Sequence, residues 1–292
     1  LALTASLWHH SGMDLKPRMA LAGHSLLAML NPDAQFLPTD GFEPAHDLGR
    51  WRDALLRLEE AIGFLIPAEL EAASLRNLQQ LTDNPDGILL KPGDAGINPH
   101  NFRETLLAFE GLVTRRRSVW ARQAGLRLVD AMTARVLQPD GHFDISRLGW
   151  WGQIPDPSQP DPTRNGWFDG NATSGRCLEG LVWFYEATGE DRVLRLAEGI
   201  AEHHLANSID PSGKVRKEIL DPQNAGHNHS YHGTLRGLLL FGFLTRQQRF
   251  VKAVEATYRH GVRMRIVRES GWSPHDLGKT RYPNSNGDPV GE

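Results

Sequence analysis

The chain has 292 residues, 40% hydrophobic residues and a formal net charge of -3, which suit a globular protein with a sizeable core. This charge gives no electrostatic basis for binding nucleic acid or an anionic membrane, and no apolar run approaches the ~20 residues that cross a bilayer. Cys177 is the single cysteine, which excludes an internal disulfide and a CxxC metal site. We expect a soluble protein, cytoplasmic or periplasmic, and the sequence leaves its oligomeric state open.

The first helical segments form a pair that is broken at Pro67, "GRWRDALLRLEEAIGF" followed by "AELEAASLRNLQQLT". The stretch "FEPAHDLGRW" leads into this pair and places His46 and Asp47 near a helix start. Both residues are candidates for binding a substrate. The alternative is structural, because an aspartate at such a junction often caps the helix. Arg50 would then pair with Asp53 or Glu43 at the surface.

Three later segments repeat one design, an apolar helix, a polar turn after a threonine and a second amphipathic helix. When Thr114, Thr188 and Thr245 are aligned, Val119, Val193 and Phe250 fall in register. Each hairpin has an apolar side to bury against its neighbours. The pattern predicts an all-α protein, an (α/α) toroid of helical hairpins.

Long loops rich in Gly, Pro, Asn and Trp precede the first helix of each of these hairpins. They cover residues 82–100, 141–171 and 209–229, and loops above ~15 residues are uncommon in a compact domain and often functional. Because all three lead into the first helix of a hairpin, we expect them to meet at one end of the toroid and form a cleft. The alternative is a helical-repeat scaffold that binds a protein on that face.

Side chains suited to binding a sugar recur at these junctions. Trp167 can stack on a sugar ring, and Asp169 can act as an acid or a base, although Asp169 can equally lie exposed beside a helix cap. Carbohydrate is therefore the expected partner. The candidate substrate-binding residues are His46, Asp47, His100, Asn101, Arg103, Trp167, Asn171, Arg176, His227, His229, Tyr231, His232, Arg236 and Trp272.

The stretch "GHNHSYHGTLRG" brings three of these histidines within six residues. His232 and Arg236 are four residues apart and share one helical face. Zinc binding, helix capping and hydrogen bonding to a substrate all remain open for the histidines. For Gly233 and Gly237, also four residues apart, we expect close helix packing.

The segments "HSYHGTLRGLLLFGFLT", "QQRFVKAVEATYRHGV" and "GDPVGE" resemble the catalytic toroid of the β-L-arabinofuranosidase-like glycoside hydrolases, family 127 and its relatives, in the six-hairpin glycosidase superfamily. The resemblance implies that Glu292 matches a glutamate that, with cysteines, holds zinc in that family. Asp276 is the nearest acid in the preceding loop, where the family has glutamate. Cys177 lies elsewhere in the pattern, so zinc at Glu292 is expected only if matching cysteines exist.

These observations predict an (α/α) toroid that is incomplete in this chain, with residues 1–292 forming a single catalytic domain truncated at its C-terminus. We expect a glycoside hydrolase for a plant or microbial glycan, with a β-L-arabinofuranoside and a bacterial origin suggested by the resemblance alone. Its catalytic carboxylates would be Asp169, Asp276 and Glu292. Three alternatives remain. Two of them act on uronic-acid-containing saccharides, namely a polysaccharide lyase with Tyr231 or His229 as base and a sugar epimerase that pairs His229 with His100. The third is a non-catalytic helical-repeat binding protein.

Overall fold

The computed structural model describes residues 14–38, 44–90, 99–144, 174–216 and 228–261, apart from the side chains of residues 38, 44–47, 99, 100 and 228. These ranges contain nine α-helices and one short antiparallel strand pair, in which Leu30 lies opposite Pro38. The helices are α1 Lys16–Ala28, α2 Pro44–Ile62, α3 Ala68–Leu81, α4 Pro99–Arg116, α5 Val119–Val136, α6 Cys177–Thr188, α7 Asp191–Asn207, α8 Asn228–Leu244 and α9 Gln248–Thr257. The strands are β1 Leu30–Asn31 and β2 Leu37–Pro38.

Helices α2 to α9 form four consecutive hairpins arranged in two layers. The first helices of the hairpins, α2, α4, α6 and α8, pack side by side in chain order and form the inner layer. The second helices, α3, α5, α7 and α9, each pack against their own partner on the outside. The all-α prediction is confirmed, and the inner helices run in the same direction, so that their first turns lie at the same end of this layer. Within the described ranges, no helix is both long and apolar enough to cross a membrane.

The turns of two hairpins are built in the same way. The hydroxyl of Thr188 donates to the carbonyl of Phe184 at 2.7 Å, and that of Thr245 donates to the carbonyl of Phe241 at 2.8 Å. In each case the next residue has a left-handed backbone, with φ of 68° at Gly189 and 57° at Arg246. A left-handed residue is a common way to end a helix.

The first of the three aligned hairpins has a different turn. Thr114 donates to the side chain of Glu110 at 3.0 Å, and α4 continues to Arg116. Val119 is consequently 68% exposed, whereas Ala121 is fully buried, as Val193 and Phe250 are in their hairpins. The predicted register is therefore wrong by two residues for this hairpin, because its first helix runs past the threonine.

Most of the apolar core lies between the inner and outer layers, from α4 to α9. A smaller cluster, formed by Leu30, Leu55, Phe64 and Leu70, joins α1 and the strand pair to α2 and α3. Helix α1 was not predicted. Its apolar residues do not form one buried stripe, since Leu21 is 68% exposed and Gly23 is the buried residue of the helix.

Glycines allow the inner helices to approach one another closely. A Cβ atom on Gly49 of α2 would lie 2.5 Å from the carbonyl oxygen of Glu104 on α4. On the other side of α4, a Cβ atom on Gly180 of α6 would lie 3.1 Å from the carbonyl oxygen of Arg103. Larger side chains at either position would push the inner helices apart.

The packing role expected for Gly233 and Gly237 is confirmed. A Cβ atom on Gly233 would lie 2.9 Å from Cγ of Arg176, and one on Gly237 would lie 2.6 Å from Cβ of Leu178. Both glycines thus let α8 pack closely against the start of α6.

Candidate functional site

A line of alternating charges crosses the four inner helices, in the N-terminal half of α2, α4 and α6 and at the middle of α8. On α4, Oε1 of Glu104 accepts hydrogen bonds from Nε of Arg50 at 2.9 Å and from Nη1 of Arg103 at 2.6 Å. On α6, Oε2 of Glu179 accepts from Nη2 of Arg103 at 2.6 Å. The other oxygen of Glu179 lies 2.9 Å from Nη2 of Arg236 on α8. We call these five residues the inner network.

The two carboxylates of the inner network are buried, while two of its arginines reach solvent. The side chains of Glu104 and Glu179 are 0% and 4% exposed, against 35% for Arg50 and 55% for Arg236. Burial by itself lowers the pKa of Arg103, but the charges of Glu104 and Glu179 raise it above its ordinary value. Arg103 therefore stays cationic and links two buried carboxylates, which need such pairing to be tolerated.

Arg176 adds another positive charge close to this network. Its side chain is buried in the short 3-10 turn Ser174–Arg176 that leads into α6. Burial lowers the pKa of Arg176 to about 9, a change that the charge of Glu104 opposes. At neutral pH the inner network and Arg176 together thus hold four guanidinium groups against two carboxylates. Such an excess of positive charge attracts anionic groups.

Trp183 lies one helical turn beyond Glu179 on α6 and contacts two arginines. The guanidinium carbon of Arg57 is 4.2 Å from the centre of a Trp183 ring, and that of Arg236 is 5.4 Å away. Both distances are within the range of cation–π attraction. Arg236 therefore has two anchors, a carboxylate and an indole ring, which fix its position at the end of the inner network.

Asp53 is a second acidic group on the inner layer with an altered titration. Burial raises the pKa of Asp53, and the hydrogen bond from Nε of Arg57, at 2.8 Å, acts in the opposite direction. Arg57 also reaches Glu110 on α4, at 3.5 Å. The carboxylate of Asp53 is therefore engaged by Arg57, as those of Glu104 and Glu179 are by their arginines.

A buried hydrogen-bonded chain anchors the start of α6 to α7. Oγ of Ser174 is 2.8 Å from Nε2 of His204, and Nδ1 of His204 is 2.7 Å from Oγ of Ser208. Burial lowers the pKa of His204 well below its ordinary value, so the ring is neutral, with one nitrogen donating and the other accepting. This chain holds the turn that carries Arg176.

The structure brings together two of the predicted site residues that come from different junctions. Arg103 begins the hairpin of α4 and α5, and Arg236 belongs to the hairpin of α8 and α9, yet both bind the carboxylate of Glu179. Glu179 and Trp183 are not among the site residues predicted from the sequence. The surface pairing suggested for Arg50 is wrong, because Arg50 binds Glu104, while Asp53 binds Arg57.

Two other predicted substrate contacts are buried in the core. Asn101 is 2% exposed, and its amide donates to the carbonyl of Leu89 at 2.8 Å. Tyr231 is 1% exposed and belongs to the main apolar core. Burial argues for a structural role of both side chains rather than the predicted contact with substrate.

The histidines of α8 differ in their surroundings. His229 is exposed in the first turn of the helix. Nδ1 of His232 lies 3.2 Å from the hydroxyl of Tyr258, at the end of α9, and burial lowers the pKa of His232. His232 therefore contacts its own hairpin partner, while Arg236, one turn later, reaches across to α6.

The remaining predicted residues fall outside the described side chains. His46 and Asp47 lie in the first turn of α2, and His100 lies in the first turn of α4. The residues outside the described ranges are Asp169, Asp276, Glu292, Trp167, Asn171, His227 and Trp272.

The described residues do not fit a thiolate–zinc site. Within those ranges, no group of three or more histidine, cysteine, aspartate or glutamate side chains is placed to hold a metal ion. Cys177 is fully buried, and burial raises the pKa of its thiol to about 12. Zinc binds the thiolate form, so Cys177 is unsuited to the role. Glu292 lies outside the described residues.

Comparison with known proteins identifies the fold. No protein-family model matches the chain, and no curated protein matches it significantly. Among solved structures, the chain is similar to an unsaturated glucuronyl hydrolase from Bacillus sp. GL1, responsible for the degradation of glycosaminoglycan, at 15% identity and a TM-score of 0.61, over 91% of this chain and 72% of that one. It is also similar to a polysaccharide lyase, at 12% identity and a TM-score of 0.59, over 91% of this chain and 82% of that one.

A third similar structure is the cellobiose 2-epimerase from Bacillus thermoamylovorans, at 12% identity and a TM-score of 0.56, over 85% of this chain and 65% of that one. These similarities confirm that the chain is an (α/α) toroid of the six-hairpin type. The three enzymes catalyse different reactions, and none is an arabinofuranosidase. The narrower resemblance to family 127 therefore stays a prediction.

Proposed function

We propose that the protein is a glycan-processing enzyme that hydrolyses a glycosidic bond in a cleft above the inner network. The observation that carries this proposal is the position of Arg50, Arg103 and Arg236. They lie together on the inner layer, joined through Glu104 and Glu179, in a fold that is shared with enzymes acting on saccharides.

The charge of this region favours a saccharide with a carboxylate, such as a uronic acid, over a neutral sugar. Arg50 and Arg236 each make one ion pair with the inner network and are partly exposed. A guanidinium group has five N–H donors in a planar fork that matches a carboxylate. A β-L-arabinofuranoside, which the sequence resemblance suggests, lacks this group and is the neutral candidate to be tested beside it.

Hydrolysis requires one group that protonates the leaving oxygen and a second that attacks or activates water. Glu104 and Glu179 are committed to arginines, and their role in the proposal is to hold those arginines in place. The candidates for the acid and the base are the three carboxylates selected from the sequence, Asp169, Asp276 and Glu292.

A panel of uronic-acid oligosaccharides and β-L-arabinofuranosides tests this proposal. Wild-type protein should release new reducing ends from an acidic member of the panel, and Asp169→Asn and Asp276→Asn should lower turnover strongly. Full turnover in both variants would refute these two assignments. The absence of product from every member of the panel would refute the hydrolase proposal.

Elimination by a polysaccharide lyase is the second candidate. The exposed position of His229 in the first turn of α8 supports it, because an exposed imidazole can act as a base on a bound uronate. Tyr231, the other base considered, is buried, and burial raises its pKa. Ultraviolet absorbance of an unsaturated product separates elimination from hydrolysis, and epimerisation would yield neither that absorbance nor a new reducing end.

A further inference from the structure

A polar groove lies on the outside of the toroid, between the outer helices α3 and α5. Its volume is about 420 Å³, within the range of about 300–1,000 Å³ that is typical of small-ligand sites. The side chains that line it include Arg76, Gln79, Gln80, Asp83, Trp120 and Arg127. It belongs to the outer layer and is formed by different helices from the inner network.

The groove contains an aromatic ring that is held in place. Trp120, at the start of α5, is partly exposed in the groove. The ring of Trp120 packs edge-on against buried Phe109 of α4, with a centroid distance of 5.5 Å and an angle of 87° between the planes. A fixed indole offers an apolar face and one N–H donor, a combination that suits a sugar ring with its apolar face and hydroxyl edge.

The charged side chains of the groove are available to a ligand. Within the part of the chain that the structure describes, Arg76, Asp83 and Arg127 form no ion pair, although the nearby Arg135 is paired with Asp86. The groove therefore has two unpaired guanidinium groups against one carboxylate. Such a pair of guanidinium groups favours an anionic ligand.

The two exposed glutamines on α3, Gln79 and Gln80, complete the polar lining. Each amide can both donate and accept hydrogen bonds, as sugar hydroxyls require. The groove thus combines an aromatic face, amide groups and an excess of positive charge.

We propose that this groove is a second saccharide-binding site, outside the cleft, for an acidic oligosaccharide. A sugar ring would stack on Trp120, and its carboxylate or sulfate group would bind Arg76 and Arg127. The choice of a saccharide as ligand rests on the proposed function, whereas the positive charge of the groove does not. Two sites on one protein raise the effective concentration of a polymer at the cleft.

Affinity electrophoresis in gels that contain polygalacturonate or hyaluronan tests this site, with neutral arabinan as the reference polymer. The double variant Arg76→Ala/Arg127→Ala should bind the acidic polymer about tenfold more weakly than wild type. Trp120→Ala should show a comparable loss. Turnover of a short substrate should stay unchanged in these variants, because the groove lies outside the cleft.

Matched controls come from the same outer layer. Arg195→Ala removes an exposed arginine on α7, and Val119→Ala removes the exposed neighbour of Trp120. Both should migrate like wild type. An equal loss of binding in Arg195→Ala would overturn the proposal in favour of non-specific charge attraction.

Two other results would also overturn the proposal, namely a wild-type protein that no acidic polymer retards, and groove variants retarded as strongly as wild type. Because Trp120 packs on the core, Trp120→Ala could weaken binding by destabilising the fold, and thermal unfolding of this variant is measured to detect that. The arginine double variant removes only exposed side chains and therefore tests the groove independently. Failure of the proposed function would appear separately, as absent turnover of every saccharide.

Discussion

Arg103 on α4 and Glu179 on α6 are joined by two hydrogen bonds to one carboxylate oxygen, from Nη2 at 2.6 Å and from Nε at 3.0 Å. This pair is the middle of the inner network, because Arg103 also binds Glu104 and Glu179 also binds Arg236. Both side chains are largely buried. The pair therefore holds the neighbouring arginines in position and also stabilises the inner layer.

Glu179→Gln should lower the free energy of unfolding by about 3 kcal/mol, because it leaves buried Arg103 with one charged partner fewer. Urea denaturation measures the loss. The matched control is Glu202→Gln, which removes the carboxylate of the exposed pair with Arg249, where a change of less than about 1 kcal/mol is expected. Equal losses in the two variants would contradict the burial argument.

Arg236→Ala should weaken turnover of an acidic saccharide, mainly by raising KM, by about tenfold or more. The reason is that Arg236 is the exposed guanidinium at the end of the inner network. Arg249→Ala is the control, since Arg249 on α9 is similarly exposed, at 51% against 55%, and also pairs with a glutamate. Unchanged kinetics in Arg236→Ala would remove this residue from the substrate site.

Gly49→Ala should destabilise the protein by about 1–3 kcal/mol, because the new Cβ would meet the backbone of Glu104 and push α2 from α4. It should also lower turnover, since Arg50 and Glu104 lie at the same contact. Gly63→Ala, at the end of α2, is the control. Its added Cβ would meet no other atom, and the only strain would come from the positive φ of 70° at this residue. It should cost about 1 kcal/mol and leave turnover intact, and a loss of turnover there would argue against a local effect.

The free energy of unfolding should decrease as the pH is lowered below 6.5, the ordinary pKa of histidine. Burial lowers the pKa of His204 in the folded protein, so the unfolded chain binds the proton more readily. The contribution of His204 to the stability is then lost progressively as the pH falls below 6.5, with a slope of up to about 1.4 kcal/mol per pH unit from this residue. Denaturation curves between about pH 5 and 8 measure this slope.

His204→Gln should flatten that dependence, because glutamine keeps hydrogen-bonding capacity for Ser174 and Ser208 but does not titrate. The control is His142→Gln, which changes a histidine whose side chain is 62% exposed. The control should keep the wild-type slope. A wild-type slope in His204→Gln would exclude His204 as its source.

Cys177 should not react with a thiol reagent in the native protein. Its side chain is fully buried, and burial raises the pKa of the thiol to about 12, whereas the thiolate is the reactive form. In urea, one equivalent per chain should react, about a hundredfold faster or more. Rapid labelling of the native protein would contradict the burial of Cys177 at the start of α6.

The hairpins could be predicted from the sequence because each depends on local features, a 3.6-residue apolar period and a turn. Val119 shows the limit of that method. In this hairpin α4 runs two residues past Thr114, whereas α6 ends at Thr188, and the buried position of the second helix moves by two residues.

The candidate site could be predicted only in part. Arg103 and Arg236 stand at junctions that the sequence marks with polar residues, but their common partner Glu179 lies inside an apolar helix. One signal could have found Glu179, since it is the single charged residue of "CLEGLVWFY", and a buried charge in such a stretch needs a partner. Which residues serve as partners depends on long-range packing, and the sequence does not supply it.

The inner network also bears on how the hairpins depend on one another. In many repeat proteins each unit contacts only its neighbours, and units can be removed or unfold separately. Here one unbroken row of ion pairs runs from Arg50 to Arg236 through all four hairpins. Removal of the second or third hairpin would leave a buried charge of a neighbouring hairpin without one of its partners. The four hairpins are therefore expected to melt in a single transition, as one cooperative unit.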